Sequence, residues 1–214
     1  STIKMSGVSV NASAHIVTVS GSNVTLDGYD FSVGGGWQVN VVNNANNVTI
    51  QNSYFKVGSN NLMPIDADHG GSVNVLHNTF DGGAANGSTV NSMFYTGAGA
   101  VVEYNRFTKF PNDAIDITHD GNYTIQYNLF DTMGAGAYHT DAIQTYFSDI
   151  QSIVVQYNTM YQPANWSGTD ELNAFFRIGD QQGHVVHNPV AAYNTIVMAS
   201  GQAPSRWRTS STSI

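Results

Sequence analysis

Cysteine is absent, which excludes a disulfide framework as a source of stability and leaves the redox compartment unmarked. Charge is scarce too. Only 10% of residues are Asp, Glu, Lys or Arg, where globular domains carry about 25%. Seven basic residues stand against 15 acidic ones, for a formal net charge of −8. Lys4, Lys56, Arg106, Lys109 and Arg177 are scattered and only Arg206 and Arg208 lie close together. Nothing tracks a phosphate backbone, so nucleic acid is excluded as a partner. No apolar run approaches the roughly 20 residues of a membrane helix, so insertion by that route is excluded. No secretory leader is visible, the pattern of a mature, excised or cytoplasmic chain.

What is present is Asn, Ser, Thr and Gly for polarity, with Val, Ile and Tyr as apolar partners. That mixture is poor in helix formers and rich in strand and turn formers, so an all-β fold is expected. The 214 residues suffice for one large domain with a real core.

The strand formers recur as a repeat. VTLDGYDF (24–31), VTIQNSYF (48–55), VNVLHNTF (73–80), VVEYNRF (101–107), YTIQYNLF (123–130), VVQYNTM (154–160) and AAYNTIV (191–197) align. Phe31, Phe55, Phe80, Phe107, Phe130, Met160 and Ile196 form one column, with steps of 24, 25, 27, 23, 30 and 36 residues. Ser53, Asn78, Asn105, Asn128, Asn158 and Asn194 form a second column, two positions earlier. A helical repeat would show 3.6-residue periodicity, and a propeller blade needs roughly 40 residues or more. Short period-2 strands on an imprecise period predict a parallel solenoid in which each coil stacks on the last. Both columns are read as structural: Asn taking the left-handed conformation of a tight corner and bonding from coil to coil, Phe forming an internal stack.

NVTIQNSYF, SVNVLHNTF, AVVEYNRF, NYTIQYNLF and IVVQYNTM resemble the coils of the pectate-lyase-like superfamily, over roughly residues 20–200. The resemblance implies a single right-handed parallel β-helix of about seven coils over residues 1–200, with 201–214 as a tail or linker. It also implies a protein that is secreted or sits on a cell or virion surface. Such solenoids trimerise or carry further domains, so a homo-oligomer or a longer chain is compatible with it. The superfamily holds polysaccharide lyases, glycosidases, epimerases, tailspikes and adhesins, so fold alone does not select a function.

Between the repeats lie PIDADHG (64–70), SMFYTG (92–97), DAIDITHDG (113–121), DAIQTYF (141–147) and NAFFRIG (173–179), the predicted next strand of each coil. With Ile115 and Ile117 inward, Asp116 and Thr118 point outward, and Asp66, Asp68, Gln144, Tyr146 and Arg177 share that outer face. Phe176 and Ile178 are expected inside in the last stretch. Asp113 and Asp141, 28 residues apart (141 − 113), fall just before their strands. Singly, each is an ordinary corner residue accepting backbone N–H bonds. Together they concentrate the scarce ionisable groups on one strip, where stacked like charges repel and are not there for stability.

Asp116, Asp141, Asp113, Arg177, His139, His119 and Tyr146 are therefore the candidate catalytic residues. Gln144, Tyr138, Trp166 and Lys109 are candidates for holding a polysaccharide substrate, the aromatic residues by stacking on sugar rings. The preferred chemistry is that of a lyase or C5-epimerase on a uronate-containing glycan, in which a base removes the proton α to a carboxylate. Ca²⁺ is the cofactor such a reaction would use, with Asp66, Asp68 and Asp116 as its ligands. The alternatives are a glycoside hydrolase with paired Asp residues, and a non-catalytic glycan-binding or tailspike-like solenoid. The Gly-His-Gly and Arg-x-Lys signatures of polygalacturonases are missing.

Overall fold

Alternating apolar and polar residues give each short segment one face that seeks the interior. Val48 and Ile50 of VTIQ are buried while Thr49 and Gln51 are half-buried, and VNVL, AVVE and NYTIQ repeat the pattern. A computed structural model of the protein describes residues 3–83, 90–134, 140–146, 149–163, 172–178 and 184–198. The proposed tail at 201–214 lies outside them.

Among the described residues the fold is all-β, with a single 3-10 turn at Val33–Gly35. The first sheet runs in order through Val8–Asn11, Ile16–Val19, Gln38–Val41, Ile65–Asp66, Ser92–Tyr95, Asp113–Ile117, Thr140–Thr145 and Leu172–Arg177. The second holds Thr25–Asp27, Val48–Gln51, Val73–Leu76, Ala100–Glu103, Asn122–Gln126, Ser152–Gln156 and Pro189–Ala192. The third holds Tyr54–Lys56, Thr79–Asp81, Arg106–Thr108, Leu129–Asp131, Thr159–Gln162 and Thr195–Met198. From Gln38 onward every third strand returns to the same sheet, and neighbours within a sheet are parallel. The antiparallel exception is Val8–Asn11 against Ile16–Val19, at the N-terminal edge. The arrangement is compatible with a β-helix-like solenoid, and three successive strands are called a layer below.

The two predicted columns are present and lie inside. Ring centroids along Phe31, Phe55, Phe80, Phe107 and Phe130 are 4.6, 5.0, 4.7 and 5.1 Å apart. Register carries the column on through Met160 and Ile196. In the Asn column each side-chain oxygen accepts the backbone N–H of the layer before. Asn78 donates to Asn105 Oδ1 at 2.8 Å, Asn105 to Asn128 at 2.9 Å and Asn128 to Asn158 at 3.0 Å. Each Nδ2 donates in turn, as Asn105 does to the Val75 carbonyl at 2.8 Å and to Asn128 Oδ1 at 3.0 Å.

One expectation is corrected. The Asn residues do not take the left-handed conformation; the residue before each of them does. Asn52, His77, Tyr104, Tyr127, Tyr157 and Tyr193 have φ of 51, 56, 58, 59, 56 and 57°. The inward Asn must bond across layers, so the chain reverses one residue earlier. A left-handed residue other than Gly costs roughly 1–2 kcal/mol. Here the rings stack on the outside, with His77, Tyr104, Tyr127, Tyr157 and Tyr193 spaced 4.9, 5.0, 5.2 and 5.1 Å apart. Such pairs return about 0.5–1.5 kcal/mol each.

Two neighbouring positions should therefore respond differently. Asn105→Ala strands several buried backbone partners at about 1–3 kcal/mol each and is expected to cost roughly 3–5 kcal/mol in urea unfolding. Tyr104→Ala loses only exposed stacking and should cost about 1–2 kcal/mol. Equal losses would mean that the Asn column does not hold the layers together.

Candidate functional site

Pairing in the first sheet sets one row across the strands. Asp66 pairs with Tyr95, Tyr95 with Asp116, Asp116 with Gln144 and Gln144 with Arg177. The expected row of Asp66, Asp116, Gln144 and Arg177 is thus brought together, and Tyr95 joins it. Tyr95 was legible in the alignment of SMFYTG with DAIDIT, which sets it beside Asp116, but an isolated Tyr carries no acid–base signal of its own.

Ile115, Ile117 and Ile143 are buried in the core, as their pattern requires. Yet Asp113–Ile117 and Thr140–Thr145 are buried along their whole length, unlike the half-open strands of the second sheet. Exposure is 5% at Asp113, 7% at Asp116 and 0% at Asp141. Asp113 and Asp141 do not precede their strands, as expected, but belong to them. The cause is local. The Asp141 backbone N–H donates to Asp113 Oδ1 at 2.7 Å, so a carboxylate takes the place of a ladder carbonyl. The pairing of Thr140–Thr145 with the next strand shifts register between Thr140 and Asp141.

Asp113 and Asp141 share a neighbour in Gln144. With its NH₂ turned toward them, the Gln144 amide donates to Asp113 Oδ2 at 3.1 Å and Asp141 Oδ2 at 3.2 Å. Reversing the amide would press its oxygen against two carboxylate oxygens. Arg177 Nη1 lies 3.6 Å from Asp141 Oδ2, and its side chain is 33% exposed. Burial, then the charges of Asp116 and Asp141, push the Asp113 carboxyl far above the usual carboxylate range, against the Asp141 N–H and Arg177. Burial and the Asp141 charge push Asp116 up as well. Burial and the adjacent carboxylates, Asp116 foremost, push the Tyr95 phenol up to about 12. Charges crowded into so dry a site favour retention of a proton near neutral pH.

A second group forms around Asp68. Its Oδ1 accepts Thr118 Oγ1 at 3.0 Å and lies 3.1 Å from His119 Nε2, while His69 Nδ1 is 3.8 Å from Oδ2. His119 is thereby held at the end of the strand that bears Asp113 and Asp116. Among the described residues no three His, Cys, Asp or Glu side chains are grouped as a metal ion requires. Asp66 and Asp116 are separated by the Tyr95 strand, and Asp68 is engaged with Thr118 and His119. Among the described residues, Asp66, Asp68 and Asp116 are not brought together as one Ca²⁺ site would require.

Lys109 is exposed in the turn after Arg106–Thr108, with a left-handed φ of 53°, and makes no side-chain contact with the three carboxyls. Tyr146 is exposed just past its strand, its N–H bonded to the Ile117 carbonyl at 2.8 Å. Phe176 and Ile178, expected inside, are half-buried; Phe176 pairs with Ile143 and packs against the core, and Phe175 does so too, edge-on to Phe130 at 5.9 Å. His139, Tyr138 and Trp166 lie outside the described residues.

Raised carboxyl pKa values make stability depend on pH with a definite sign. The folded chain keeps protons that the unfolded chain, with carboxyls near 4, has released, so stability falls as pH rises above about 4. Each retained proton contributes a slope of about 1.4 kcal/mol per pH unit until the raised value is passed. Urea midpoints measured from pH 5 to 9 should decline, and Asp113→Asn or Asp116→Asn should flatten the decline. A midpoint that rises with pH in the wild-type chain would contradict the protonated cluster.

No protein-family model matches this chain, and no curated protein or solved structure matches it.

Proposed function

We propose that the chain is a right-handed parallel β-helix of about seven coils that acts on an extracellular polysaccharide at the strip around Asp113, Asp116 and Asp141. The reaction this strip supports best is hydrolysis of a glycosidic bond. That reaction needs one carboxyl that keeps its proton to protonate the leaving oxygen, and a second that is ionised as base or nucleophile. The observation that carries the reading is that carboxyls of unlike surroundings lie side by side in one buried group. Asp113 and Asp116 have raised proton affinity, while Asp141 faces Arg177 and the Gln144 amide.

A lyase or C5-epimerase on uronate glycans is the second reading. Partly exposed Arg177 favours it, as a cation able to meet a substrate carboxylate. It ranks second because Arg177 already faces Asp141 and, among the described residues, no acidic group suits a cation that would take its place.

Incubation with a panel of neutral and uronate polysaccharides, with and without chelator, separates these outcomes. New reducing ends without ultraviolet absorbance are expected. Absorbance from unsaturated products would favour the lyase, and no product on any glycan would favour a binding or structural role. Asp116→Asn should lower turnover by roughly 10²–10⁴-fold while far-ultraviolet circular dichroism stays unchanged.

A further inference from the structure

A second line of side chains crosses the layers at the corner between the second and third sheets, whereas the carboxyls lie on the first. The backbone of this column is left-handed at Gly28, Asn52, His77, Tyr104, Tyr127, Tyr157 and Tyr193. Gly and Asn take that conformation readily, and Tyr does not. Ring stacking at most offsets the cost, so stability does not account for Tyr in a column that also holds Asn52. Strain kept without a gain in stability points to a task. The rings are open to solvent, with Tyr104 50%, Tyr127 43%, Tyr157 43% and Tyr193 74% exposed. We propose that this ladder is a second binding site, for an uncharged polysaccharide chain laid along the stacking direction. It goes beyond the reaction proposed for the carboxyls and uses none of them.

Ring geometry selects the kind of partner. From Tyr104 to Tyr193 neighbouring rings lie within 7° of parallel, so their faces meet one another and leave edges and hydroxyls for a ligand. Among the described residues none of the four hydroxyls is hydrogen-bonded to the protein. Ring edges are electropositive, and a phenol hydroxyl both donates and accepts. Such a line suits an oxygen-rich chain better than an apolar protein surface, which would need the ring faces. Charge narrows the class further. Glu103 and Arg106 flank the ladder, and both are engaged. Gln126 Nε2 donates to Glu103 Oε1 at 2.6 Å, and Arg106 Nε donates to Asp131 Oδ2 at 2.7 Å. Gln156 Nε2 donates to Gln126 Oε1 at 2.9 Å, extending a line of neutral amides beside the rings. A glycan bearing carboxylates or sulfates meets no cation along these amides, and a neutral one meets hydroxyls and amides throughout. The rings repeat every 5.0–5.2 Å, on the scale of one sugar residue in an extended chain.

Native electrophoresis through gels containing glucan, xylan or mannan, with polygalacturonate as the charged counterpart, tests the assignment. At least one neutral glycan should retard the wild-type chain, and polygalacturonate should retard it less. Tyr127→Asn combined with Tyr157→Asn places in both layers the residue that the column already accepts at Asn52. That variant should keep its far-ultraviolet circular dichroism and raise the Kd read from retardation about tenfold or more, the loss of two hydrogen bonds. Tyr127→Phe with Tyr157→Phe keeps the rings, removes only the hydroxyls and should weaken retardation comparably. If the Asn variant fails to fold, the Phe variant decides. Wild-type chain that no neutral glycan retards overturns the assignment, as does a folded variant of either kind retarded as strongly as wild type. Sedimentation showing a wild-type dimer that the Asn variant separates would make the ladder a contact between copies, and would overturn it too. Retardation requires no turnover, so this site and the proposed reaction can fail separately.

Discussion

Hydrogen bonding between parallel strands about 4.8 Å apart decides which residue stands beside which in this molecule, and the buried Asn column pins that register. Each Asn satisfies the N–H of the layer before it and donates to a carbonyl of that layer as well, as Asn105 does for Asn78 and Val75. A slip of one residue would turn every strand inside out and break these bonds at once. The Phe stack fills space beside the column but tolerates Met160 and Ile196, whereas the amide geometry is repeated without change from Asn78 to Asn194. Packing supplies the core, and the amides supply the alignment.

That alignment is what allows three carboxyls to meet. Left alone, Asp113, Asp116 and Asp141 would avoid one another and remain in water, because burying unpaired charge is costly. Strands held in register on three sheets leave them no such freedom. The site responds as confined carboxyls do: proton affinity rises at Asp113 and Asp116, the Gln144 amide and the Asp141 N–H are recruited, and Arg177 faces Asp141. Each adjustment offsets part of the cost of burying charge and leaves groups of unequal proton affinity side by side, the requirement for acid–base chemistry.

Much of this was legible in the residues. Period-2 alternation and two aligned columns specify the strands and the layering, because burial and register leave few other solutions. The shared row of Asp66, Asp116, Gln144 and Arg177 followed from aligning PIDADHG, DAIDITHDG, DAIQTYF and NAFFRIG. The details that escaped depend on backbone geometry. That the left-handed residue is Tyr104 rather than Asn105 depends on which side chain must point inward. That Asp113 and Asp141 lie inside strands depends on a carboxylate replacing a ladder carbonyl, which no local pattern records. The spacing of the expected cation ligands was hidden for a similar reason: the Tyr95 strand intervenes between Asp66 and Asp116, and Asp68 is drawn to Thr118 and His119.

The central claim is that the buried carboxyls Asp113 and Asp116, brought beside Asp141 and Gln144 by the register of the layers, keep a proton at neutral pH. Neutron diffraction from a deuterated crystal at neutral pH tests it most directly. The account predicts a deuteron retained on Asp113 or Asp116, with both Gln144 amide deuterons directed at carboxylate oxygens. Three deuteron-free carboxylates separated by water, or a Gln144 amide turned away from them, would contradict it.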